Sequence, residues 1–220
     1  MLLPAAGYEA LEMTLRLSFA ATGMALLLAG AANAQAPAAP NKNPAAVEAG
    51  TFQVEPIHTR VLFKVSHLGF SYWYGDFAGV SGTLVLDPKH PAAAKLDVSL
   101  PVASVSSVNS KLDDELKGAD WLDTAQFPTA TFVSRKVTPS STGHADVLGD
   151  LTLHGVTKPL VLHVTFNGSG INPMDKAYTT GFEAHGTIKR SAFGVSKYVP
   201  LVGDDVELII SGAFERAPSQ

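Results

Sequence analysis

A period of two runs through this chain from residue 59 to residue 214. Thr59, Val61, Phe63, Val65 and His67 alternate with Arg60, Leu62, Lys64 and Ser66. An extended backbone sends successive side chains to opposite faces, so one face here is mostly apolar and the other charged or mixed. The alternation returns in Leu96, Val98, Leu100 and Val102, then in Ala130, Phe132 and Ser134, and again in Leu160, Leu162, Val164 and Phe166. It returns twice more, in Phe182, Ala184, Gly186, Ile188 and Arg190 and in Val206, Leu208, Ile210, Gly212 and Phe214. Turn formers separate these runs at Leu68-Gly69, at Pro88 to Pro91, at the HGVTKP joint from His154 to Pro159, and at Asn167 to Asp175. Such a pattern predicts strands with an inside and an outside, joined as hairpins.

Counting from His58 gives eight strands and one short helix. Ser110 is placed to cap the helix, Asp113 and Asp114 sit in its first turn, and Gly118 follows its end. The strand from Lys95 is expected to run to Val108, with an irregularity at Pro101, which cannot donate to a ladder. The class is all-β, as a sandwich or a closed antiparallel barrel. Closure of eight strands leaves an interior just wide enough for side chains or one small ligand. Ala130, Ala184, Gly186 and Gly212 at interior positions leave volume, whereas Phe63, Phe132, Phe166, Phe182 and Phe214 could fill it. Both alternatives stay open. Phe70, Tyr72, Trp73 and Tyr74 gather at the first hairpin turn, either as the rim of an apolar container or as the plug of an ordinary core.

The first 34 residues read as a secretory signal peptide. From Met13, the expected start, Arg16 is a short basic region, Leu17 to Gly30 an apolar one, and Ala32-Asn33-Ala34 a small-residue cleavage site. A periplasmic location is the expectation. Residues 35 to 50 are rich in Ala and Pro and are expected to be a flexible linker before a domain spanning 51 to 217. The chain has no cysteine, which in an exported protein excludes disulfides, a lipid-modified N-terminal cysteine, covalent c-type haem and thiolate metal sites. A net charge of −4 with scattered basic residues gives no footprint for nucleic acid.

No catalytic constellation assembles from the spacing. Gly79-Val80-Ser81-Gly82 lacks the spacing of a nucleophile elbow, Gly168-Ser169-Gly170 lacks the following elements, and no phosphate-binding loop is present. None of the seven histidines forms a metal-ligand pair at the usual spacings. The expectation is a protein that is not an enzyme and has neither metal nor cofactor.

Five ordered blocks resemble the YceI-like family. They are His58-Thr59 with Phe63 to Gly69; Gly75-Asp76-Phe77 with Gly79 and Gly82; Trp121-Leu122-Asp123 with Phe127-Pro128-Thr129 and Phe132-Val133-Ser134; Gly149 to Pro159; and Ile188 to Gly194. The resemblance implies an exported, lipocalin-like eight-stranded barrel that binds a long-chain amphiphile, a polyisoprenoid or isoprenoid quinone in particular, with no catalytic residues to carry over. The loop after His67 departs from it in its crowd of aromatics. A fatty-acid or fatty-amide binder, a quinone-supplying partner of a membrane redox enzyme, and a filled barrel acting as an interaction protein are the alternative readings. Transient membrane contact and a homodimer also stay open.

The lining expected on this reading is Phe63, Val65, Phe132, Leu162, Val164, Phe182, Ile188, Leu208 and Ile210, with His67, Trp73 and Arg190 near the openings. His67 points inward by phase, to meet a polar head group or to bond a loop carbonyl. Arg190 could grip a pyrophosphate or quinone oxygen, but a salt bridge to Asp150 or Asp123 is the favoured reading because an unpaired buried charge is costly.

Overall fold

The computed structural model describes residues 39–216, and the predicted leader lies outside them. The described residues form β1 (Gly50–Val54), β2 (Arg60–His67), β3 (Ser71–Phe77), β4 (Ser81–Leu86), β5 (Lys95–Pro101), α1 (Ser110–Lys117), β6 (Thr129–Ser141), β7 (His144–Leu153), β8 (Val156–Ile171), β9 (Tyr178–Lys189) and β10 (Val202–Arg216). No helix among them is long and apolar enough to cross a membrane.

The sheet runs β1-β4-β5-β6-β7-β8-β9-β10 and closes where β10 returns to β1, with Phe52 opposite Arg216 and Val54 opposite Phe214. Further along the same edge β10 pairs with β2, Val61 facing Ile210 and Phe63 facing Leu208, and β3 pairs with β2. β1 and β2 are therefore two halves of one interrupted barrel strand, and β3 and β4 of another. The result is the closed eight-stranded antiparallel barrel that the alternation predicts. Side chains satisfy the backbone at the first interruption: Glu55 accepts from the amides of Ile57 and His58, and Thr59 exchanges hydrogen bonds with the carbonyl and amide of Ala213.

Several boundaries differ from the sequence expectation. The stretch expected as a linker is folded from residue 41: Asn41 pairs with Ser169, Asn43 caps a short 3-10 turn at Pro44–Ala46, and Val47 is buried in the core at 5 % exposure. Val47 is the largest purely apolar side chain in that stretch, and its burial draws the chain onto the barrel. β5 stops at Pro101, where the missing N–H ends the ladder, and Val102 turns away to donate to the carbonyl of Pro128. The β7–β8 turn is only His154 and Gly155, both at positive φ, the two-residue geometry that matches strand twist. Pro159 thus lies inside β8 opposite Asp150, not at the turn. Asn109, not Ser110, caps α1, its side chain accepting from the amide of Leu112 at 3.2 Å. Tyr72, Trp73 and Tyr74 belong to β3, past the turn.

One end of the barrel is plugged. Val102, Val105, Trp121, Phe193 and Val195 are all buried there. Arg190 sits among them, donating from Nε to Gly203 O at 2.8 Å, from Nη1 to Val195 O at 2.9 Å, and from Nη2 to Lys197 O at 2.9 Å and Val202 O at 2.8 Å. Its guanidinium lies 5.3 Å from the Trp121 ring centroid. This corrects both expectations for Arg190: Asp150 pairs with Arg135, Asp123 accepts from Gln126, and the donors of Arg190 are spent on the 195–203 backbone. A planar fork with fixed donors suits that task better than an ammonium. Arg190→Met leaves four carbonyls without their donor and lowers unfolding stability by about 3 kcal/mol; an unchanged urea midpoint would show that the loop holds itself.

Candidate functional site

The inward faces of the barrel enclose a cavity of about 630 Å³. Away from its mouth only Thr59 and Thr131 among its lining residues are polar. Val61, Val164, Phe182, Leu208 and Ile210 point into the barrel yet are only half-buried, because they border the cavity instead of packing against an opposite wall. Two buried clusters frame it, one around Phe52, Val54, Leu84 and Phe214, the other around Phe132, Val147, Leu160 and Leu162.

The competing expectations about the interior are now decided. Phe132, Phe166, Phe182 and Phe214 form wall and do not fill the barrel, and Phe182 meets Phe166 and Phe214 at ring distances of 5.7 and 5.9 Å. Ala130, Ala184 and Gly212 border the cavity, as small interior residues should if they leave volume. Gly186 does not: a Cβ there would come within 2.9 Å of Leu162 Cδ2, so Leu162 already uses its space.

The mouth lies opposite the plug. It is ringed by the 3-10 turn at 44–46, the loop from Pro88 to Ala94 and the β6–β7 turn, and its polar groups are Asn43, Lys95, Ser141, Thr142 and His144. These residues were not anticipated. They lie in turns or at the first or last residue of a strand, where no apolar phase marks a residue as interior, and only the height of the turn on the barrel places them at an opening.

A second cavity, of about 300 Å³, lies at the plugged end between the β2–β3 hairpin and α1. Phe63, Val65, His67 and Trp73 line it from the hairpin, Leu112 and Leu116 from α1, with Trp121 and Tyr198 beside them. His67 meets the Trp73 ring edge-on at 6.1 Å. Asp113 fastens α1 by accepting from the amide and the hydroxyl of Ser107, both at 2.6 Å, and those bonds hold its carboxyl below the usual range.

The nine residues expected as lining and the three expected near the openings therefore divide. Phe132, Leu162, Val164, Phe182, Leu208 and Ile210 border the main cavity, and Phe63, Val65, His67 and Trp73 border the second. Ile188 borders neither and packs beside the Phe132 cluster, while Arg190 holds the plug. His67 and Trp73 are thus at the far end from the main mouth. Tyr72 and Tyr74 are exposed, Tyr74 at the edge of the second cavity, and the Lys64 ammonium lies 4.3 Å from the Tyr72 ring centroid. Among the described residues no three His, Cys, Asp or Glu side chains converge to hold a metal ion.

The barrel has counterparts. A model of the YceI-like domain matches residues 52–214. A UPF0312 protein from Ectopseudomonas mendocina is 41% identical over 154 residues, covering 70% of this chain and 80% of its own. Protein YceI from Escherichia coli O157:H7 is 40% identical over 154 residues, with the same shares. Among solved structures, BcnA of Burkholderia cenocepacia superposes with a TM-score of 0.66 at 27% identity, over 73% of this chain and 98% of its own. A polyisoprenoid binding domain from Saccharophagus degradans, implicated in plant cell wall breakdown, shares the fold at a TM-score of 0.58 and 12% identity, over 77% and 100%.

The Asp113 contact has a pH signature. Its folded pKa lies below its unfolded one, so its support for α1 is present above the unfolded value and is lost as pH falls through the folded value. Amide exchange in α1 quickens, relative to the barrel strands, below about pH 4. In Asp113→Asn it is fast at every pH; a variant that keeps the wild-type profile would assign the effect to another group.

Proposed function

The chain belongs to the YceI-like domain family, and from that membership and its apolar interior we propose that it is a binding protein that takes one long-chain lipid, a polyisoprenoid or isoprenoid quinone, into the barrel. The carrying observation is the main cavity: about 630 Å³, largely apolar walls, half-buried wall residues, and all polar lining residues but Thr59 and Thr131 gathered at one mouth. That volume falls in the usual range for small-molecule sites, roughly 300–1,000 Å³. An apolar chain that leaves water for such a wall gains about 0.8 kcal/mol per buried methylene. Few polar contacts are then needed, and those at the mouth serve orientation. Phe132, Leu162, Val164, Phe182, Leu208 and Ile210 hold the chain, while Lys95 and His144 face its polar end.

The Saccharophagus degradans domain, described as polyisoprenoid-binding, supports this reading through the shared fold. The leader expected at residues 1–34 supports a periplasmic role, in a compartment where a lipid with a long apolar tail needs a carrier to travel through water.

Mass spectrometry of a solvent extract from mature protein, purified without detergent, tests the proposal: a polyprenyl or quinone species at one per protein is expected. An extract free of lipid, from a protein that also takes up no added polyprenyl chain, would reject it; a fatty acid or fatty amide would change the cargo. Ala184→Phe projects a ring into the cavity from β9 and lowers chain affinity at least tenfold, at a stability cost of about 1–3 kcal/mol. Titration of wild type and variant with one polyprenyl probe measures the difference.

A further inference from the structure

We propose that the ring of Phe63 is the length stop of the main cavity, closing it from the 300 Å³ chamber under α1, so that the far end of a bound chain rests on Phe63. The inference rests on the lipid-binding reading above. The inward face of β2 runs Val61, Phe63, Val65, His67; Val61 borders the main cavity and the other three border the second. The boundary on this strand falls at Phe63. Across the ladder on β10, Leu208 is directly opposite Phe63 and still borders the main cavity, whereas the second is met only at Val202. Between them Val206 and its partner Ile188 on β9 border neither, so on the β9–β10 side packed side chains separate the two cavities, and Phe63 does so on the β2–β3 side.

Phe63 is held in place by a missing side chain. Gly75 lies opposite it on β3, and a Cβ at Gly75 would come within 2.4 Å of Phe63 Cζ and 2.7 Å of Cε1. The ring therefore lies across the bare backbone of β3, in space that any other residue would take, with Phe77 beside it at 5.6 Å between centroids. The stop is a side chain, not backbone, so substitution removes it without breaking the ladder. Two chambers then become one, and a longer chain fits.

The chain carries its own reporter. Its two tryptophans are Trp73 and Trp121, and both border the second chamber and not the first. Their emission registers a chain that passes Phe63 and is silent to one that stops short.

The test titrates delipidated mature wild type, Phe63→Ala and Phe63→Leu with polyprenyl monophosphates of three to eleven isoprene units. Affinity is read by displacement of a fluorescent fatty acid, and entry into the second chamber by tryptophan emission. In the wild type, affinity climbs with length and then levels off, with tryptophan emission unchanged throughout. In Phe63→Ala it keeps climbing past that length, by more than tenfold, since each further buried methylene adds about fourfold, and the longer chains shift the emission. Phe63→Leu gives a smaller extension in the same direction and covers the case in which the alanine variant does not fold. Levelling at the same length in folded variants and wild type, or a tryptophan shift in the wild type with the longest chains, overturns the length stop alone. Absence of binding at every length in all the folded proteins overturns the lipid reading, and the length stop with it.

Discussion

The whole architecture depends on the two edges of β10. One edge pairs with β9 from Asp205 to Glu215, and the other is shared between β2 and β1. Without that second edge the inward face of every strand would belong to an open sheet, with a solvated side and unpaired groups at its rim. Closure gives the apolar phase of each strand a common interior. It also fixes which residues stand at one height, because the registers of β9, β10 and β2 place Gly186, Leu208 and Phe63 side by side. The cavity is a consequence of that ring of registers more than of any single side chain.

The two ends of the barrel are finished by different physics. At one, a charged side chain gathers a loop: the guanidinium of Arg190 ties four carbonyls from residues 195 to 203 and lies against Trp121, with buried apolar residues around it. At the other, short turns that carry the polar groups surround an opening. Among the described residues the barrel is thus asymmetric, which suits the proposed ligand, itself asymmetric with an apolar chain and a polar end.

Much of this was legible in the sequence because a strand has a period of two. Phe132, Leu162, Val164, Phe182, Leu208 and Ile210 were placed on the wall by phase, and the wall is where they are. Phase says inward or outward, but it says nothing of height along the barrel axis. His67 and Trp73 do face inward, yet they serve the chamber at the plugged end, because the position of that plug depends on how α1 and the 190–202 segment pack, contacts distant in sequence. Arg190 was expected to need a carboxylate, since sequence inspection counts formal charges and overlooks a loop whose carbonyls converge. β1 was missed for a compositional reason: Phe52 and Val54 follow an Ala/Pro-rich run and make too short an alternation to stand out from it.

The half-buried walls of the main cavity bear on more than recognition. Val61, Val164, Phe182, Leu208 and Ile210 contribute less to holding the barrel together than fully packed residues would, since part of their surface meets no other side chain. A chain seated among them completes the core from outside the polypeptide. Cargo and fold are then thermodynamically linked: whatever binds only the folded barrel raises its stability in proportion to the logarithm of its own concentration over its dissociation constant. On the lipid-binding reading, release of the chain also softens the barrel, and the loaded protein is the one better able to outlast proteases.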